Sequence, residues 1–522
     1  MRNRTRKLLI VIAIALLICV GVHHIVRTEE AAVWEDAVVY SSADRASKKE
    51  HPFFEGCVDT AEYLNDKNYE RQNATFVMLT RNEELNGVIH TMRSVERRFN
   101  QWFQYPYVFM NNEPFTDEFQ ERVRSLTTAN VTFALVDESS WNFPKENTPL
   151  FQHYVESQGD RGIMYGNMVS YHKMCRFYSG LFYKHPAVRQ YEWYWRIEPD
   201  VEFFCDLTYD PFFEMKKAGK KYGFTIFIKE IYWTVPNLFR ATRSFIKQND
   251  IKLGSLWKAF IKNSNVLYGD DYLNSFVNDL QELNEEMTHE FLIDYLKKNW
   301  AREKVIDDEL IQEIAHRVRR KVPVVEDKFD QEEYNLCHFW SNFEIARVDV
   351  FDNEVYNKYF DYLESWGGFW QERWGDAPVH SLGLALTLNA EDIHYFRDIG
   401  YQHTTIVHCP NNKEGKQLAY VESSKYTDIF ERESSRMSVK EKALQYFKTD
   451  KIDDGWDTGS GCRCQCPDII DVEDTSPQCY MQWFDLVSDS PSREEFLLPF
   501  NAAELKVALA NDYKRHIAKN NN

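Results

Sequence analysis

Hydrophobic and polar positions divide the chain into regions of different character. Arg2, Arg4, Arg6 and Lys7 precede an apolar run from Leu8 to Val22, which resumes after His23 and His24 with Ile25 and Val26. Counted through Val26, the run approaches the ~20 apolar residues that cross a bilayer. No small-x-small cleavage site follows it, because Arg27-Thr-Glu-Glu comes next. The pattern therefore predicts a signal anchor, with residues 1–7 cytoplasmic, 8–26 in the membrane and the rest lumenal. A cleaved signal peptide and a buried core helix are the competing readings. Residues 27–72 are polar and read as a stem. Phe76-Val-Met-Leu79 is then a buried strand run, followed by the polar Thr80-Arg-Asn-Glu-Glu84 and by Ile89, Met92, Val95 and Phe99 at helical spacing. Strands over Tyr105–Met110, Val131–Val136 and Tyr191–Ile197, with a helix over Met168–Tyr183, complete a βαβ pattern. Such a pattern builds an α/β fold whose ligand lies at the carboxyl ends of parallel strands. Residues 263–330 are highly charged, and Leu280, Leu283, Met287, Phe291 and Tyr295 are spaced as on a helix. Asp307–His316 reads as a second helix, so the segment predicts a helical hairpin inserted in a main domain over 73–415. An extension over 416–522 follows, with a terminal helix at Ala502–Ile517.

Composition narrows the function. Aromatic residues make up 15% of the 522 positions, too many for a disordered chain. The formal charge of -19 argues against a nucleic-acid partner, since phosphate backbones are held by Lys and Arg. Of the 10 cysteines, Cys19 lies in the apolar run, so nine fall beyond it. In an oxidising lumen these form disulfides by default, and an odd number leaves at least one thiol free or paired between chains. Cys462, Cys464, Cys466 and Cys479 lack the usual zinc spacing and read as disulfide partners. Cys337 reads the same way, whereas the pattern leaves the pairing of Cys175 and Cys409 open. Asn73-Ala-Thr75 and Asn130-Val-Thr132 are lumenal glycosylation sequons.

One strand end carries chemistry. Trp195-Arg-Ile-Glu198-Pro-Asp200 sets two carboxylates one residue apart just past a buried strand, with proline stiffening the turn between them. Hard oxygen ligands of this kind suit Mg²⁺ or Mn²⁺ bearing a nucleoside diphosphate. Carboxylates after a strand are also ordinary turn chemistry. Trp340, Tyr194, Trp366, Trp370 and Trp374 offer flat faces to a sugar ring, or fill the core.

The segments FVMLTRNEELN (76–86), SYHKMCRFYSGL (170–181), YWRIEPDVEFFCDLTYDPFF (194–213), YNLCHFWSNFEIAR (334–347) and GFWQERWGDAPVHSL (368–382) resemble the fungal α-1,2-mannosyltransferases of the Golgi, glycosyltransferase family 15. The resemblance covers roughly residues 50–415. It implies a GT-A-like fold with a central mixed sheet flanked by helices, a Mn²⁺ cofactor, and retaining transfer of mannose from GDP-mannose to the 2-hydroxyl of a mannose-terminated glycoprotein glycan, N-linked or O-linked, as in cell-wall mannoproteins. It further implies that Glu198 and His403 bind the metal, with His380, His394 and His408 as nearby competitors for the histidine role. Arg81 and Tyr171 would then serve the nucleotide or acceptor, and Arg176 is read here as a charge on the diphosphate. Glu344 matches the family's proposed nucleophile, acting either covalently or as a charge beneath the anomeric carbon. Asp376 would hold the acceptor or take its proton, or cap a helix ahead of Ala377-Pro378. Trp340 adds a face to the substrate site. The insertion and the tail depart from the family pattern. The resemblance places the enzyme in the Golgi membrane as a single-pass type II protein. A non-catalytic scaffold subunit and a mannosylphosphate transferase are the alternatives.

Overall fold

In a computed structural model of the chain, the run that opens after the polar stem lies in the middle of a sheet. The structure describes residues 52–54, 56–263, 328–329, 332–410, 460–462, 464, 466–467, 471–475 and 477–487, all within one compact unit. The expected membrane span at 8–26, the helical hairpin of the insertion and the helix at Ala502–Ile517 lie outside the described residues. Among the described residues no helix is long and apolar enough to cross a membrane.

The first strand, β1 (Ala74–Leu79), carries Phe76, Val77 and Met78 fully buried. It pairs in parallel with β2 (Tyr107–Asn111) on one side and β4 (Trp193–Arg196) on the other, and β2 pairs in parallel with β3 (Val131–Leu135). This is the half of the sheet that the βαβ pattern predicts. The other half is mixed. The strand β12 (Glu344–Arg347) runs antiparallel between β4 and β6 (Tyr222–Phe224), and β13 (Ile393–Tyr395) closes the edge parallel to β6. The order is β13-β6-β12-β4-β1-β2-β3. Because β12 follows the insertion and pairs with β4, Glu344 sits directly opposite Arg196.

A smaller sheet stands at the carboxyl edge: β5 (Val201–Phe203), β14 (Tyr401–His403) and β15 (Ile406–His408), paired antiparallel in the order β15-β14-β5. Two short strands, β7 (Phe227–Lys229) and β11 (Cys337–Phe339), pair antiparallel as a separate two-stranded sheet. Helix α1 (Thr60–Asn65) is capped by Asp59, whose side chain accepts from the amides of Ala61 and Glu62. Helix α2 (Leu85–Val95) runs into a single π turn at Glu96–Asn100. Helices α3 (Val169–Gly180), α4 (Glu354–Trp366) and α5 (Asp376–Leu384) cover the sheet, and every residue of α5 is buried.

Two boundaries change. The stem expected over 27–72 is not a free tether from Pro52 onward. Phe53 stacks on His394 with ring centroids 3.9 Å apart, and Cys57 is bridged to Cys462. The sequence reading passed over these apolar positions because they follow no helical or strand period. The tail read as an extension is in part core. Helix α6 (Pro477–Val487) buries Tyr480, Trp483 and Phe484, and Trp483 meets Phe224 edge-on at 5.3 Å. The cysteines pair as 57–462, 205–464, 337–479 and 409–466. Cys175 is the free thiol that the odd number required.

Candidate active site

A buried cation organises the carboxyl end of β4. Arg196 lies in a strand of large rings, and a guanidinium withdrawn from water needs anionic partners. Its Nε donates to Glu198 Oε1 at 2.7 Å and its Nη1 to Asp376 Oδ2 at 2.5 Å. Nη1 also lies 3.3 Å from Ser341 Oγ, and the guanidinium carbon stands 3.4 Å from the centre of the Tyr178 ring. Ser341 Oγ in turn donates to Asp376 Oδ2 at 2.7 Å. One cation thus joins Glu198 to Asp376. Burial works to raise the Asp376 pKa, but Arg196, His380 and the Ser341 hydroxyl outweigh it and hold the carboxyl below the usual range. Burial pushes Glu198 up to about 7 despite Arg196, with the charges of Asp376 and Glu84 adding to the rise. Asp376 is the first helical residue of α5, and Gly375 occupies the N-cap. Its carboxylate is turned to Arg196, which corrects the reading of Asp376 as a helix cap.

His403 reaches the same edge through β14, whose register sets it opposite Val201, three positions after Glu198. Asn342 holds its Nδ1 at 2.8 Å, which leaves Nε2 for a cation. The Trp340 ring lies 5.4 Å away. Burial, with help from Arg196, lowers the His403 pKa to about 4, so the imidazole is neutral, the form that ligates metal. The turn between β4 and β5 is pinned to α2: Thr91 Oγ1 donates to the Glu198 carbonyl at 2.8 Å and accepts from the Val201 amide at 3.1 Å. Asp200 takes a left-handed backbone, φ 59°. Its carboxylate lies against Gly87, where a Cβ would come within 2.7 Å of Oδ2. The two acids of the turn thus differ in their neighbours: Glu198 pairs with Arg196, whereas Asp200 packs against helix α2 and its charge acts on His403, opposing the drop in the imidazole pKa. A carboxylate oxygen from the turn before β5 and a neutral imidazole nitrogen from the strand paired with β5 are donors of the kind that fit Mn²⁺.

The competing histidines are engaged elsewhere. His394 is buried against Phe53. His408 contacts Asp471 Oδ2 at 3.3 Å, Asp471 accepts from the amides of Cys409 and Glu473, and Glu473 pairs with Arg397 at 3.0 Å. These bonds fasten the tail to β15. His380, on α5, bonds to Glu344.

Glu344 is wholly buried. Its Oε1 accepts from Tyr194 Oη at 2.8 Å, and Oε2 from Tyr222 Oη at 3.0 Å and His380 Nδ1 at 3.1 Å. His380 Nε2 faces the Tyr178 carbonyl at 2.8 Å. Both imidazole nitrogens thus face oxygens of neighbouring groups. With no exposed surface and both oxygens bonded, Glu344 has no open face for covalent attack. Of the two roles implied for it, this geometry suits the fixed charge and corrects the nucleophile.

The other expected residues are spread more widely. Arg81 follows β1 at the carboxyl edge, exposed and paired with Glu84 at 2.8 Å. The Tyr171 ring stacks on Tyr165 at 4.6 Å, with the Arg373 guanidinium 5.5 Å away. Arg176 does not join the cluster. Its Nε donates to both Glu364 oxygens, and Nη1 donates to the Ser140 carbonyl at 3.0 Å. It ties α3 to α4, which corrects its reading as a diphosphate charge. Tyr194, Trp370 and Trp374 are buried core rings, not sugar platforms. Asn130 is exposed at the edge of β3. Asn73 is exposed too, but its amide donates to the Gln190 carbonyl at 3.0 Å and the Thr75 hydroxyl of its sequon is buried. Sequence reasoning missed Arg196, Ser341 and Asn342. An arginine inside Trp193-Tyr-Trp-Arg-Ile197 was the available signal, because a charge in a buried strand demands acids nearby.

A mixed sheet with an acid, a histidine and a buried cation gathered at its carboxyl edge defines an α/β transferase of the nucleotide-sugar type. The glycolipid 2-alpha-mannosyltransferase family model matches residues 42–274 and 297–439. The chain belongs to that family and is a mannosyltransferase. It is 51% identical over 465 residues to the probable mannosyltransferase KTR7 of Saccharomyces cerevisiae, covering 88% of this chain and 84% of that one. Core-mannan synthase A from Aspergillus fumigatus, solved in its Mn/GDP form, is similar at 34% identity and a TM-score of 0.52, covering 73% of this chain and 89% of that one. The mannosyltransferase Ktr4p of S. cerevisiae in complex with GDP is similar at 29% identity and a TM-score of 0.50, over 71% of this chain and 87% of that one.

Proposed function

We propose that the protein moves α-mannose from GDP-mannose to the 2-hydroxyl of a mannose-terminated N-linked or O-linked glycan, with retention, in the Golgi lumen behind an N-terminal membrane span. The observation that carries this reading is the Glu198–Arg196–Asp376 chain beside His403. Glu198 and His403 would hold Mn²⁺, which when bound supplies positive charge to the departing diphosphate. Arg196 fixes the Glu198 carboxylate while holding Asp376 ionised. Asp376, kept below the usual carboxylate range, orients the acceptor hydroxyl and accepts its hydrogen bond as the oxygen turns nucleophilic. Glu344 places a buried negative charge one strand from Arg196, where it offsets positive charge developing at the sugar. Arg81, exposed after β1, reaches the nucleotide, and Tyr171 and Trp340 line the cleft. GDP in two similar solved proteins, and manganese in one of them, support the donor and the metal.

The test uses full-length protein in detergent with GDP-mannose, Mn²⁺ and methyl α-mannoside. GDP release with an α-1,2-linked product is expected, and chelation stops it. His403→Ala should raise the Mn²⁺ needed for half-maximal activity by at least about tenfold, the scale on which disturbed metal sites lose affinity. Release of GMP would point to mannosylphosphate transfer. An unchanged Mn²⁺ titration would remove His403 from the metal site.

A further inference from the structure

Two large rings stand in solvent beside the site: Tyr165, 48% exposed, and Trp233, 55% exposed. Exposed apolar residues scattered singly need no explanation, but these two are linked, Tyr165 through side-chain contacts to Glu230 and Trp233 by following Glu230 in the chain. Tyr165 holds a left-handed backbone, φ 58°, a conformation that costs energy for a residue with a Cβ. There its ring stacks on Tyr171 at 4.6 Å. The Arg373 guanidinium follows, 5.5 Å from the Tyr171 ring and 3.3 Å from Glu230 Oε1. Glu230 leads directly into Ile231-Tyr232-Trp233, and the Arg373 amide donates to the Thr234 carbonyl at 3.1 Å. Gly375 passes over this ion pair: a Cβ there would meet Arg373 Nη1 at 3.4 Å and Glu230 Oε2 at 3.5 Å. The next residue is Asp376. The line from Tyr165 to Trp233 therefore runs past the group that meets the acceptor.

We infer that this line is a platform for the acceptor glycan beyond the mannose that receives the transfer. The inference rests on the mannosyl-transfer reading. Tyr165 and Trp233 offer flat, exposed apolar faces to the C–H sides of successive pyranose rings, at small entropic cost because aromatic side chains are stiff. The Arg373–Glu230 pair between them is largely buried and neutral overall, so it braces the segment that carries Trp233 against the residues that follow Trp370 and adds no net charge that would favour a charged ligand. Of the five rings expected to stack on sugar, Tyr194, Trp370 and Trp374 are buried, Trp366 is 37% exposed and Trp340 is half-buried beside His403, and Tyr165 and Trp233 extend the exposed aromatic surface.

Binding tests the platform without relying on turnover. Affinity for α-1,2-mannotriose is measured by calorimetry on the full-length protein loaded with Mn²⁺ and GDP, with transfer from GDP-mannose assayed in parallel. Trp233→Ala and Tyr165→Ala should each weaken mannotriose about tenfold, as loss of one stacked ring implies. GDP affinity should not change, and Trp233→Phe should restore most of the mannotriose affinity. Equal mannotriose affinity in Trp233→Ala and in the unaltered protein would overturn the platform even if mannose is transferred. An unaltered protein that binds mannotriose through these rings yet transfers nothing would keep the platform and overturn the reaction.

Discussion

At the scale of single residues, the site is a set of charges that satisfy one another. Glu344 receives hydrogen bonds from Tyr194, Tyr222 and His380, and Arg196 is divided between Glu198 and Asp376. Glu344→Gln separates the hydrogen bonds from the charge. A glutamine keeps the shape, and its amide can donate to a neutral imidazole and to the Tyr222 oxygen. The fold should therefore lose only about 1–3 kcal/mol, the scale of a disturbed buried hydrogen bond, read as a lower midpoint in urea. Turnover should fall by about 10²-fold or more, as when one electrostatic catalytic group is lost, with GDP affinity near that of the unaltered protein. Full turnover in a folded variant would leave Glu344 a purely structural residue. The acids here were legible because Glu198, Glu344 and Asp376 stand in segments that resemble a family. Their partners were not, because a buried arginine and tyrosine in β4 and a tyrosine in β6 look like core until the folded sheet shows which carboxylate each meets.

At the scale of elements, the long strands were legible and the short ones were not. Phe76-Val-Met-Leu79 is long enough to show a buried run, whereas β5, β14 and β15 have three residues each and no readable period. Yet that small sheet brings His403 to Glu198. Its ends are held by the tail: Cys205 follows β5 and binds Cys464, and Cys409 follows β15 and binds Cys466. If these bridges hold the metal pair in register, removing one should loosen the site as well as the fold. Cys205→Ser with Cys464→Ser deletes a bridge without stranding a thiol. It should cost about 2–4 kcal/mol of stability and raise the Mn²⁺ requirement several-fold. The matched deletion of Cys337–Cys479, a bridge from β11 to α6, should destabilise without moving the Mn²⁺ titration. Equal effects of the two deletions on Mn²⁺ would show that the bridges act on global stability alone.

At the scale of the whole molecule, the tail is the last part of the core. Each of the four disulfides has one end between Cys462 and Cys479, and the other ends reach from Cys57, ahead of α1, to Cys409 after β15. The odd cysteine count left at least one thiol without a partner in the chain, and Cys175 is that thiol, but the pairing was not legible, since eight paired cysteines allow about 105 connectivities. Residues 416–522 read as an extension, because Tyr480, Trp483 and Phe484 look like any amphipathic helix until they are seen against Phe227, Phe224 and Tyr395. Ending the chain at Gly459 removes all four bridges and this aromatic layer together. Each bridge contributes roughly 2–4 kcal/mol, against a total stability of about 5–15 kcal/mol for an ordinary domain. The shortened protein should therefore fail to fold: no cooperative thermal transition and no GDP binding at any Mn²⁺ concentration. Reduction of the intact protein should produce the same loss progressively, and reoxidation under exchange conditions should recover it. A chain ending at Gly459 that melts cooperatively and binds GDP would mean that the sheet stands without its tail, and that the bridges to Cys462, Cys464, Cys466 and Cys479 refine a fold that does not depend on them.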